Sequence, residues 1–79
     1  MIDEKKARGI VKNMIEKIPD PHRKKALRYY LKLLKAHSII EKKVYKARIL
    51  TFYAEGLKDK SPRERKELCR QLHEALRAI

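Results

Sequence analysis

The chain has 79 residues, with 22 Lys and Arg against 10 Asp and Glu, a formal net charge of +12. A chain this short makes one domain with a core worth only about 3–5 kcal/mol net, and it supplies few walls for a catalytic pocket. The charge exceeds what solubility requires and draws polyanions, nucleic acid first and an anionic membrane face second.

Charged residues make up 41% of the chain. Asn, Gln and Thr occur once each and Ser twice. Replacing uncharged polar surface by charge is a habit of thermophile proteins, so a thermophilic source is expected. The single cysteine, Cys69, excludes an internal disulfide. No apolar run approaches the roughly 18 residues of a membrane span. The first residues, MIDEKKARG, lack the apolar centre of a signal peptide. These features point to a soluble, cytoplasmic protein.

With two Gly, three Pro and no alternating apolar stretch, the chain reads as all-α. The expected fold is a compact bundle of about four short helices in a single domain, residues 1–79. Helix 1 is expected from about Asp3 to Lys17, where Ala7, Ile10, Val11, Met14 and Ile18 give one apolar face. Asp3 and Glu4 fall in its first turn, where the helix dipole favours negative charge. Pro19 ends it, because the residue before a proline avoids helical angles. Helix 2 is expected to take Asp20 as N-cap and Pro21 as its first residue, and to end near His37. Its buried stripe reads Leu27, Tyr30, Leu31 and Leu34. Ser38-Ile-Ile-Glu41 is a capping-box pattern that opens helix 3, and Gly56 suits a left-handed stop. Ser61, Pro62 and Glu64 repeat the opening signal for helix 4. Its apolar face is Leu68, Leu72, Ala75, Leu76 and Ile79.

Neither Gly nor Pro occurs between Pro21 and Gly56, so a single helix of about 35 residues is the alternative to helices 2 and 3. The helix 2 stripe, carried forward, meets polar Ser38 and then Glu41 or Lys42. That gap favours a tight corner at residues 36–39. Helix 3 has two apolar faces. Ile40, Val44, Ala47, Leu50, Thr51 and Ala54 form one, and Tyr45, Ile49 and Phe52 form another, nearly opposite. A helix apolar on two sides must be covered on two sides, either as the central helix or at a dimer seam.

Residues 21–37 hold six bases and no acid, half of the net charge. Lys25, Arg28, Lys32 and Lys35 align as one stripe on a helix, away from the apolar residues, and Lys24 and Arg23 extend it. Like charges at four-residue spacing destabilise a helix by roughly 0.2–0.5 kcal/mol per pair. Folding alone gives no reason for that cost, and a bound phosphate backbone would remove it. Tyr29 falls at the edge of the stripe, where its ring could lie on a sugar or base; its ordinary role would be to cover the rim of the core. Helix 4 carries a second row, Arg63, Lys66, Arg70 and Arg77, with His73 in line. Glu64, Glu67 and Glu74 lie beside that row and suggest ordinary surface pairing.

No enzyme signature emerges. Cys69 and His73 lack the further ligands of a zinc site. The histidines have no relay partner, and the two distant glycines make no phosphate loop. No cofactor, metal or small-molecule substrate is expected. A helix-turn-helix is disfavoured because helix 3 is too apolar for a major groove and lacks a series of Arg, Asn or Gln for base edges. The leading expectation is a small, basic, non-catalytic nucleic-acid-binding protein. Lys24, Lys25, Arg28, Tyr29, Lys32 and Lys35 would contact DNA or RNA largely without sequence preference, assisted by the helix 4 row. The alternative is a protein-interaction module, adaptor or assembly subunit using Tyr45, Ile49 and Phe52, with a homodimer left open. Membrane binding would need the apolar face of helix 2 free of the core, which so small a core cannot spare.

Overall fold

Three of the four helices begin at a side chain that closes the first turn. In the computed structural model, which describes residues 2–79, the backbone N–H of Lys6 donates to Asp3 Oδ1 at 2.7 Å and α1 runs Glu4–Glu16. Ser38 Oγ accepts from the Glu41 N–H at 3.0 Å to open α3 (Ile39–Glu55), and Ser61 Oγ accepts from the Glu64 N–H at 3.2 Å to open α4 (Pro62–Arg77). Each serine also donates its hydroxyl to the carboxylate it faces, Glu41 or Glu64. These bonds satisfy N–H groups that have no partner within the helix.

The remaining helix, α2 (His22–Lys35), begins differently from expectation. Asp20 does not cap it. Its carboxylate instead accepts from Arg23 Nε at 3.0 Å and Nη2 at 3.2 Å, which leaves Pro21 in the cap position and His22 as the first helical residue. That hydrogen bond holds the Asp20 carboxyl below its ordinary range. At its other end α2 stops at Lys35, and Ala36 turns to extended backbone. The corner between α2 and α3 is therefore real, and the chain is a bundle of four helices with no strand among the described residues.

The helices pack in a ring: α2 lies most extensively on α3, α1 lies on α2 and α4, and α3 touches α4. The diagonal partners α2 and α4 scarcely meet. The core joins Val11 and Ile15 of α1, Ala26, Tyr30 and Leu33 of α2, Ile49 and Tyr53 of α3, and Leu72, Ala75 and Leu76 of α4. Tyr30 is buried but satisfied, since its hydroxyl donates to the Arg8 carbonyl at 3.0 Å.

Two apolar faces are rotated from their expected positions. On α1, Ile15 is fully buried while Ile10 is exposed. On α2, Ala26 and Leu33 are buried and Leu31 is 51% exposed. On α1 the shift is small, since Ala7, Val11 and Ile18 are buried as expected and Met14 is half-buried. On α2, which carries more aliphatic positions than one stripe can hold, periodicity alone admits a second rotation about 90° away.

Gly56 also differs from expectation. It is right-handed, with φ −72°, so it is not a left-handed stop. What it provides is close approach: a Cβ there would lie 3.0 Å from Ile18 Cβ and Cδ1 and 3.3 Å from His22 Cβ. Gly56→Ala is expected to cost about 1–3 kcal/mol by overpacking. At Gly9, on the surface of α1, a Cβ would meet nothing within 4 Å. Gly9→Ala is therefore expected to stabilise the protein by about 0.5–1 kcal/mol. Thermal melts of the two variants should move in opposite directions.

Candidate nucleic-acid interface

On α2, a helix advancing about 100° per residue sets Lys25, Arg28, Lys32 and Lys35 opposite Ala26, Tyr30 and Leu33. Burial of the latter three turns the four bases outward. All four are exposed, and so is Lys24 beside them. From Lys25 to Lys35 the stripe runs about 15 Å, the axial rise of about four base pairs of duplex. No ion pair among the described residues includes any of these five bases. Arg23, at the first turn, is drawn instead to Asp20.

One edge of the stripe is anchored on aromatic rings. Tyr29 stacks on Phe52 with centroids 5.7 Å apart and meets Tyr45 at 6.1 Å. Lys32 Nζ lies 5.1 Å from the Tyr29 centroid and Lys25 Nζ lies 5.7 Å from that of Phe52. Such contacts are worth about 0.5–1 kcal/mol at exposed sites and hold two flexible lysines near the surface. Tyr29 is half-buried in this cluster. Stacked on Phe52, the ring covers the rim of the core, with Lys32 beside it. The cluster itself was not legible in the sequence, because it joins residues of α2 and α3 whose facing is set only by packing.

Comparisons with known protein families, curated proteins and solved structures find no match for this chain.

The second basic row is a different surface. Arg63, Lys66, Arg70 and Arg77 are exposed, but α4 lies diagonal to α2, so the two rows do not merge into one face. Arg70 donates to both oxygens of Glu67, at 2.6 and 3.2 Å. Those bonds, and one from Gln71, hold the Glu67 carboxyl below its ordinary range. Arg77 lies 3.6 Å from Glu74. Half the row is thus internally paired. Cys69 is half-buried, and burial pushes its thiol up, away from the reactive thiolate.

The expected partner surface at Tyr45, Ile49 and Phe52 requires correction. Ile49 is 0% exposed, inside the core, while Tyr45 and Phe52 are half-buried against Tyr29. Packing of α2 on α3 closes this face within one chain. The apolar side left open is the other one: Ile40 is 76% exposed and Val44 47%, with Ile39 at 75% beside them.

Proposed function

We propose that this is a small, non-catalytic, cytoplasmic nucleic-acid-binding protein that grips phosphate backbone along α2. The observation that carries the reading is the row Lys24, Lys25, Arg28, Lys32 and Lys35, exposed on one helix face with no acid in ion-pair contact. Of the described lysines and arginines only Arg8, Arg23, Arg70 and Arg77 pair with acids and no lysine does, so what sets this row apart is its alignment on a helix that contains no acid. Lysine predominates in the row, and a lysine is a point charge without the planar fork that reads guanine edges, so contact is to backbone rather than sequence.

Neutralising four or five phosphates predicts a steep salt slope. Affinity should fall about 10²–10³-fold between roughly 50 and 200 mM salt. Fluorescence anisotropy with short duplex DNA, single-stranded DNA and duplex RNA checks this and selects the polymer. Weak binding to all three, without that slope, would refute the proposal.

A further inference from the structure

The outer side of α3 is apolar and uncovered. Ile40, Val44, Ala47 and Thr51 follow one another at three- and four-residue steps along it, and all are exposed. The Thr51 hydroxyl donates to the Ala47 carbonyl at 3.0 Å, so the polar group of that residue is already satisfied. Ile39 and Ile40 are the most exposed large apolar side chains among the described residues. Beside this ridge runs a groove between α3 and α4 of about 230 Å³. Apolar Ala47, Leu50 and Leu76 line it together with Lys43, Lys46, His73 and Arg77. Burial, and secondarily the neighbouring Lys42, push the Lys46 ammonium below its ordinary range.

We propose that this ridge and groove dock a short acidic amphipathic segment of a protein partner, its apolar side chains covering Ile40, Val44 and Ala47 and its carboxylates meeting Lys43, Lys46 and Arg77. Charge complementarity selects this occupant. A phosphate backbone would meet the bases but offers nothing to cover the isoleucines. A second copy would face the ridge with the same bases about a two-fold axis, each copy carrying a net charge of +12. A standard interface between folded proteins needs roughly 800 Å² per partner. A helix laid in a groove needs much less, and it reads an apolar row at this spacing. Arg77 is available to it, because its contact with Glu74 is long and solvent-exposed.

The test is an NMR titration of the full chain with a designed peptide of about four helical turns. The peptide carries leucines at three- and four-residue steps on one face and glutamates elsewhere. Shift changes should concentrate at residues 40–51 and 73–77. Ile40→Ser with Val44→Ser should weaken binding about tenfold or more, as should Lys43→Glu, whereas Arg28→Glu with Lys32→Glu should leave it within about threefold. Equal binding of a peptide with its leucines changed to serine would overturn the proposal by reducing it to charge alone. No binding of the designed peptide would overturn it too. So would Ile40-dependent binding to phosphatidylserine vesicles without peptide binding, or an Ile40-dependent homodimer in sedimentation.

Discussion

Arg28→Glu combined with Lys32→Glu is expected to lower nucleic-acid affinity by about 10²-fold or more near 0.1 M salt, with the fold intact. Counterion release makes each phosphate contact worth roughly a factor of eight at that salt. Losing two contacts therefore costs roughly 60-fold, and two carboxylates set against phosphates add repulsion. Both side chains are exposed and neither takes part in an ion pair, so the core is undisturbed; Lys32 gives up its contact with the Tyr29 ring, worth about 0.5–1 kcal/mol. The new carboxylates would stand four residues from Lys24 and three from Lys35. On α2, which has no acid of its own, they would relieve like-charge repulsion by a few tenths of a kcal/mol per pair.

Binding and stability are thus expected to separate, with affinity collapsing and the melting temperature held within a few degrees, because relieved repulsion and the lost Lys32–Tyr29 contact nearly offset. Anisotropy and circular dichroism on the same samples check both. Arg63→Glu with Lys66→Glu on α4 is the matched control, since it changes net charge equally on the diagonal helix. Screening over about 10 Å should keep its effect within about threefold. If the two variants weaken binding alike, total charge rather than the α2 row governs affinity. If the α2 variant binds as before, the row is not the site.

What the sequence made legible follows from which signals are local. The corner at 36–39 and the caps at Ser38 and Ser61 depend on a few adjacent residues, and they stand where the serines put them. The outward facing of Lys25, Arg28, Lys32 and Lys35 survives even though the α2 core stripe is rotated, because the row is nearly opposite both candidate stripes. Rotation itself was not legible. Leu27, Leu31, Leu33 and Leu34 spread over about 160° of α2, wider than one buried stripe, and only the approach of Ala26 and Leu33 to the other helices decides which part is inside. The same ambiguity hid the use of the two faces of α3. Tyr45, Ile49 and Phe52 and the opposite Ile40, Val44 and Ala47 are equally periodic. Tyr29, on another helix, closes the first face, and it can do so only once α2 and α3 have folded together. Asp20 shows a local signal losing to a competitor: Arg23 offers its carboxylate a bidentate, charge-assisted pair in place of a backbone N–H.

The two faces of α3 also yield the largest expected loss of stability. Ile49→Ala should cost about 2–5 kcal/mol, because Ile49 is fully enclosed and its neighbours cannot collapse completely into the space left. A domain of this size holds only about 3–5 kcal/mol, so the variant should melt at least about 10 °C lower or be largely unfolded. Ile40→Ala removes the same atoms from a side chain 76% exposed and should stay within about 0.5 kcal/mol, on the stabilising side because alanine is the better helix former. Thermal melts of both variants decide which face of α3 is inside. Should Ile40→Ala prove as costly as Ile49→Ala, the outer face must be buried in solution, and in a purified sample only a second copy can bury it. The melting temperature of the parent chain would then rise with protein concentration. A melting temperature independent of concentration, with Ile40→Ala near neutral, leaves the ridge free for another chain.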